Sequence, residues 1–490
     1  MTRKRIILVT AGIMLSLFLA SMESTVVATA MPTIVGQLGG LEHYSWVFSA
    51  FMLASTTAVP LYGKLSDLYG RRRLYISAMA LFLVGSVWCG LATSMTSLIL
   101  ARALQGVGAG GIMPLAFILI GEMFTLEQRA KMQGLFSGVW GVSSIVGPLL
   151  GGFLVDQLSW RWIFYIHIVP GLLAAALVAL AWRDQHGHGQ ERPAIDYAGA
   201  ALLTVSVVIL LLGLMGTGPS SWALIAGAVV LFMILLWVER RAADPVLPLS
   251  LFSDRLFSTA TAHGVLTGWA LFGSVSFIPL FVQAVLGTSA TQAGITLTPL
   301  LMGWVTASII GTRLMLTVGY RRLGLIGTAS FTIGAFLMSQ AGMNTSQPSL
   351  MAFVTLMGIG MGLSIPSFLI AVQTSVSRRQ LGTATSTLQF SRSIGGTLGV
   401  SVMGAALSAR LASNLIEARL DPDMVRQLLD PLPGSEVVIA QSARAAMADA
   451  IHLVFVIAFA AAALAMVSVL FTPRRELADQ QPERSPVSAD

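Results

Sequence analysis

Glu23 is a lone carboxylate in the otherwise uncharged run from Ile6 to Gln37, within Ala20-Ser-Met-Glu-Ser-Thr-Val-Val-Ala-Thr-Ala-Met-Pro32. An acid at the centre of a membrane helix costs about 2.5 to 3.5 kcal/mol on insertion scales, so it marks a functional site by default. The chemistry open to it is proton binding or pairing with a cation. Arg102 poses the same question with the opposite sign in Leu98-Ile-Leu-Ala-Arg-Ala-Leu-Gln-Gly-Val-Gly-Ala-Gly110. A guanidinium cannot neutralise itself by losing a proton, so it needs a carboxylate, carbonyl or water partner, or it snorkels to the interface. Gln105, at i+3, extends a polar stripe from it along one helix face. A third charged cluster is Gly63-Lys-Leu-Ser-Asp-Leu-Tyr-Gly-Arg-Arg-Arg73, a turn bounded by Gly63 and Gly70. Orientation in a membrane explains Arg71 and Arg72 but not Asp67, which suits a charged latch between moving helices.

Other titratable residues offer less. His186 and His188 have no third ligand in view and read as a solvated loop, so no metal site is expected. His263 could assist proton transfer, or sit packed and neutral. The single cysteine, Cys89, excludes an intrachain disulfide and a cysteine metal cluster. There is no HExxH, no GxSxG and no cofactor loop, so no enzyme and no cofactor is expected. A net charge of +7 would suggest nucleic acid in a soluble protein. Here the basic residues follow topology, and no nucleic-acid partner is implied.

The elements that hold these residues are membrane helices. Only 10% of the 490 residues are charged, against roughly 25% in a soluble domain, while 55% are apolar and the mean hydropathy is +0.79. A helix needs about 20 apolar residues to cross about 30 Å of hydrocarbon. Fourteen runs qualify: 6–32, 46–62, 74–93, 97–121, 133–155, 162–182, 196–217, 221–238, 257–286, 291–312, 321–342, 348–374, 383–408 and 450–471. The first could imitate a cleaved signal peptide, but it is too long for one and cleavage would discard Glu23. With both termini cytoplasmic, 22 of the 29 Lys and Arg residues fall on the inner side, as inserted helices require. Glu23 then lies past the midpoint of an outward-running helix, and Arg102 lies near the outer end of an inward-running one. Both occupy the outer half of the bundle. A proline-broken outer loop is expected over 409–449, with Leu411, Leu415, Ile416 and Leu420 as a short amphipathic stretch. The tail 472–490 is polar and expected to be disordered in the cytoplasm.

The 63–73 segment closely resembles the signature loop of the major facilitator superfamily, G-x-L-a-D-r-x-G-r-r. The stretch around Arg102 resembles that superfamily's l-x-x-x-R-x-x-q-G-x-g-a motif. Gly138-Val-Trp-Gly-Val-Ser-Ser-Ile-Val-Gly-Pro-Leu-Leu-Gly-Gly152 resembles the G-x-x-x-G-P-x-x-G-G pattern of its exporters, with Ser143 at the first glycine. Gly147, Pro148, Gly151 and Gly152 would by physics alone form a packing face and a bend. The segment from Glu23 to Pro32 resembles the first-helix D-x-T-v-v-x-x-a-l-P motif of drug/proton antiporters, with Glu for Asp and Met for Leu. Asp196-Tyr-Ala-Gly-Ala-Ala-Leu202 and Gln389-Phe-Ser-Arg-Ser-Ile-Gly-Gly-Thr-Leu-Gly399 resemble the seventh and thirteenth helices of the fourteen-helix branch. Gly311-Thr-Arg-Leu-Met-Leu-Thr-Val-Gly-Tyr-Arg-Arg322 is a degraded copy of the 63–73 loop, lacking its acid.

The resemblance implies an all-α integral membrane protein of the major facilitator fold, two six-helix bundles plus two inserted helices. The expected domains are 1–182, a linker with the extra pair at 183–256, 257–471, and the tail. It further implies a proton-coupled multidrug antiporter working by alternating access, with Glu23 as proton carrier and Arg102 as its partner. The partners are then protons, a small lipophilic and often cationic cargo, and the lipid bilayer of the cell membrane. A monomer is compatible. Candidate cavity residues are Trp46, Phe51, Gln105, Trp140, Phe277, Gln283, Trp304 and Gln389, whose aromatic faces and amides suit bulky organic molecules. Arg392 could bind an anionic group or pair with carbonyls near the inner end of its helix. Export of an endogenous lipid or metabolite, and a non-transporting sensor, remain as alternatives.

Overall fold

In hydrocarbon every backbone N–H and C=O must be satisfied within its own segment, so the apolar runs can only be helices. The computed structural model describes residues 3–124, 126–182, 197–215, 219–241, 249–376, 381–418 and 441–474. Among these, the first six long helices are α1 (Arg3–Leu38), α2 (Tyr44–Tyr69), α3 (Arg71–Leu91), α4 (Met95–Met123), α5 (Leu126–Gln157) and α6 (Trp162–Ala181). α6 is interrupted at Ile166 and His167. A pair follows, α7 (Tyr197–Met215) and α8 (Pro219–Glu239). The last six are α9 (Arg255–Leu280), continued by a π turn at Phe281–Val285, α10 (Ala290–Val318), α11 (Tyr320–Ser339), α12 (Gln347–Ser375), α13 (Leu381–Ala418) and α14 (Gln441–Leu470). Eleven helices among the described residues are long and apolar enough to cross a membrane. The protein is a multi-pass membrane protein. α2, α5 and α7, which carry the expected runs 46–62, 133–155 and 196–217, lie outside those eleven.

The helix pairings of the first half recur in the second. α1 packs on α5 and α6, α2 on α4, and α3 on α4 and α6; α9 packs on α13 and α14, α10 on α12, and α11 on α12 and α14. The halves meet through α5 with α10, α2 with α13, and α1 with α9. α7 and α8 pack on each other, and α7 leans on α2 and α13 through Leu203, Val207 and Leu53.

Two boundaries differ from expectation. The 63–73 segment is not an open turn, because α2 stays helical through Tyr69 and only Gly70, at φ 87° and ψ 144°, turns the chain into α3. Gly319 makes the same turn between α10 and α11 at φ 82° and ψ 150°. A side chain at such a φ would clash, so both copies of the motif end on glycine for one steric reason. The outer loop expected over 409–449 is also shorter. α13 continues through Ala418 with Leu411 and Leu415 on its buried face, and α14 starts at Gln441. No proline interrupts the first of these helices, and polar bonds tie the two together: Arg410 Nε to Asp449 at 2.7 Å, and Asn414 Nδ2 to Asp449 and to the Ala446 carbonyl, each at 2.9 Å.

Packing distinguishes the two ends of the molecule. One apolar core contains residues of both halves, from Met22, Val26 and Val47 to Phe277, Phe281 and Met403. At the opposite end each half has its own core, around Tyr75 and Leu115 in the first and around Phe257 and Phe368 in the second. The described hydrogen bonds between the halves all lie at the joined end. Tyr44 donates to the Ser276 carbonyl at 2.8 Å, the Ser49 and Ser401 hydroxyls are 2.7 Å apart, and Gln283 donates to the Thr29 carbonyl at 3.1 Å. Thr291 N–H donates to Asp156 at 3.1 Å. The molecule is therefore closed where α1 ends. With cysteines at Ser49 and Ser401, mild oxidation of resting membranes is expected to join the halves by a disulfide, seen as a mobility shift that reductant reverses. No cross-link in resting protein would contradict the closure.

Candidate functional site

Glu23 on α1 and Arg102 on α4 meet inside the first bundle, at 0% and 1% exposure, so the carboxyl group has no contact with water unless the helices move. Arg102 Nη1 donates to Glu23 Oε1 and, at 2.6 Å, to Gln105 Oε1. Its Nε donates to the Val47 carbonyl at 3.2 Å, and its guanidinium lies 4.1 Å from the centre of the Phe51 ring. Gln105 Nε2 passes the network on to Ser86 at 2.8 Å, and the Cys89 thiol donates to Gln105 Oε1 at 3.7 Å. The guanidinium is thus held by an acid, an amide, a carbonyl and an aromatic face from three helices. That is a pairing site and not a snorkelling arginine.

A further residue completes it. His167, at the break in α6, places Nε2 3.1 Å from Glu23 Oε2, at ion-pair distance but not aligned as a hydrogen bond. Its Nδ1 is 3.2 Å from the Phe164 carbonyl, and its ring stands edge-on to Phe82 at 5.5 Å. The sequence signal was available, since a titratable ring interrupts the apolar run Phe164-Tyr-Ile-His-Ile-Val-Pro170.

The glycine helix α5 supports the site from behind. Side chains on Gly147 and Gly151 would collide with Thr25, Val26 and Thr29 of α1, while Gly152 faces Ala290 and Thr291, and the Pro148 carbonyl faces Gly294, on α10. One helix therefore touches both the carrier helix and the other half of the molecule. Ser143, the departure from the glycine pattern, hydrogen-bonds Ser21 two residues before Glu23.

The cavity candidates disperse. Phe51 covers Arg102, Phe277 is fully buried and stacked on Tyr44 at 5.5 Å, and Gln283 bridges the closed end. Trp46 packs beside the α7 contact and Trp304 against the large shared core. Phe277 is wholly consumed by packing, whereas Phe51, Trp46 and Trp304 are partly buried, each against a neighbouring helix. Gln105 belongs to the ion-pair network. Arg392 donates to Gln389 at 2.9 Å, and Gln389 is exposed. His263 is packed against Phe368 and hydrogen-bonded to Thr328 at 3.0 Å, the structural role. The side chains of Asp67 and Trp140, the surroundings of Gly63, and residues His186 and His188 lie outside what the structure describes. Arg71 and Arg72 open α3 directly after Gly70.

Residues 13–400 match the model of the Major Facilitator Superfamily. A "Multidrug transporter protein MdtP" of Bacillus subtilis (strain 168) is 40% identical over 438 residues, 88% of this chain and 79% of that protein. "Multidrug resistance protein 3" of the same organism is 38% identical over 417 residues, 84% of this chain and 81% of its own length. In fold, the chain is similar to a bacterial homologue of the human lysosomal transporter Spinster, in an inward-facing and occupied conformation. That likeness has a TM-score of 0.71 at 18% identity, over 99% of this chain and 100% of the other.

Removing one partner of a buried ion pair leaves an uncompensated charge, at a cost of about 3 to 5 kcal/mol, whereas neutralising both is far less damaging. Arg102→Ala is accordingly expected to lower the thermal midpoint of the purified protein strongly, and Glu23→Gln with Arg102→Gln to recover most of the loss. Equal midpoints for the single and double variants would contradict the pairing.

Proposed function

The chain belongs to the Major Facilitator Superfamily, and from that premise we propose that it is a proton-coupled exporter of lipophilic, often cationic, organic compounds. It is a multi-pass protein of the cell membrane. In this proposal fourteen helices span the bilayer with both termini in the cytoplasm, and the bundles of α1–α6 and α9–α14 rock about a central site. The end closed by Tyr44, Ser49 and Gln283 is then the outer one, and the structure corresponds to the state that loads cargo from inside.

The observation that carries the proposal is the buried Glu23–Arg102 pair. A carboxylate sealed in this way can take up or release a proton only when the surrounding helices part, which is the requirement for coupling a proton to a conformational cycle. A cationic cargo and a proton compete for the same carboxylate, and the two are exchanged in opposite directions. Export of chemically varied compounds is supported by the names of the relatives that share most of this chain. Gly147, Pro148, Gly151 and Gly152 transmit movement of α1 to α10, and Gly63, Asp67, Gly70, Arg71 and Arg72 act as the inner latch. The positive end of a helix dipole favours an anion at the helix start, so in this scheme Asp67 is the cap for the inner end of α13 near Gly382.

The test is flux of a fluorescent organic cation in proteoliposomes with and without a pH gradient. Wild type is expected to drive the dye uphill only with the gradient, and Glu23→Gln to lose at least about tenfold of that flux, the rate equivalent of about 1.4 kcal/mol. Unchanged uphill flux in Glu23→Gln would end the carrier role, and flux indifferent to the gradient would end the coupling.

A further inference from the structure

We propose that the coupling proton is shared between Glu23 and His167, and that its loss turns their contact from attraction to repulsion and parts the outer piece of α6, Trp162–Tyr165, from α1. This rests on the export reading for its function, though not for its geometry. The Phe164 carbonyl can only accept, so its 3.2 Å contact with Nδ1 places the ring's first proton on Nδ1. Nε2 is then a bare lone pair when the ring is neutral. It stands 3.1 Å from Glu23 Oε2, and neither atom has a hydrogen-bond partner elsewhere among the described residues. An ionised carboxylate is also an acceptor only. Two acceptors this close, with no accessible surface on either residue, repel each other unless one of them carries a proton, and a small rotation of the ring would bring that proton into line between them.

The proton has two homes of equal total charge. On Glu23 it makes a neutral acid beside a neutral imidazole, and on Nε2 it makes a carboxylate beside an imidazolium. In either form Arg102 keeps its bond to the other oxygen, Oε1. When the proton leaves, the O–H or N–H bond breaks, the electron pair stays on that atom and the proton passes to water. What remains is an anion facing a lone pair.

The fold supplies the means to separate them. His167 sits at the interruption between Trp162–Tyr165 and Ile168–Ala181, where Gly171 N–H donates to the His167 carbonyl at 2.9 Å and restarts the helix. The outer piece of α6 can therefore swing while the longer piece stays packed on α1 and α3. Few other ionisable groups intrude. Arg102 acts from α4 through Glu23, Cys89 from α3 donates to Gln105, Tyr75 donates to the Gly12 carbonyl at 3.4 Å, and Asp156 on α5 is bound to Thr291.

The test uses the full chain labelled with nitrogen-15 histidine in nanodiscs, where the six histidines give few ring signals. His167 is identified by the signal lost in His167→Gln and moved in Glu23→Gln. The expected result is a protonated Nδ1 and a hydrogen-bonded Nε2 that reverts to a free acceptor in Glu23→Ala. A proton on Nε2 with Nδ1 bare, or an Nε2 signal indifferent to Glu23→Ala, would overturn the proposal. In proteoliposomes, His167→Gln keeps a permanent amide donor toward Glu23. It is expected to lose at least about tenfold of gradient-driven ethidium flux, about 1.4 kcal/mol, while still eluting as a single folded species in size-exclusion chromatography. Gradient-driven flux equal to wild type would also overturn it. If wild type itself ignores the gradient, the export reading fails, and the nitrogen signals alone decide whether the proton is shared.

Discussion

An arginine that cannot discharge, placed where water does not reach, fixes the organisation of the first bundle. Arg102 must be neutralised, and Glu23 is the acid that does so, bringing α1 and α4 into register. The remaining donors of the guanidinium recruit Gln105 and the Val47 carbonyl, and its face takes Phe51, so α2 is drawn into the same arrangement. Gln105 then reaches Ser86 and Cys89 on α3. Four helices are held by one charge that has nowhere else to go.

The same constraint connects the site to the rest of the molecule. α1 carries Glu23 on one face and meets the glycines of α5 on another, and α5 in turn meets α10 across the divide between the halves. Contacts therefore run without a break from the ion pair through α1 and α5 to the other half. At the closed end the bonds are few and mostly neutral, such as Tyr44 to Ser276 and Ser49 to Ser401. Bonds of that kind contribute about 1 kcal/mol each, and the apolar core shared by the halves supplies the rest of the contact at that end.

Charge in an apolar run is visible without coordinates, and for that reason Glu23 and Arg102 could be singled out and even matched by depth. The repeated glycine turn was equally legible, because Gly70 and Gly319 answer one steric demand. His167 was harder, since a neutral imidazole carries no formal charge to mark it and its partner lies far away in the sequence. Helix ends were misjudged where no residue forbids continuation, as with α2 through Tyr69 and α13 through Ala418. The aromatic candidates are less legible for a different reason: Phe51, Phe277 and Trp46 are as well suited to packing as to cargo, and side-chain type alone does not distinguish the two.

The central claim is that protonation at Glu23 governs which end of the molecule is open. Spin labels on cysteines at Tyr69 of α2 and Thr317 of α10, both exposed near the end opposite the closure, report the gap between the halves, and the buried Cys89 does not compete for label. The account predicts that the label distance shifts with pH in otherwise wild-type protein and is insensitive to pH in Glu23→Gln. A distance that shifts equally with pH in the variant would contradict it.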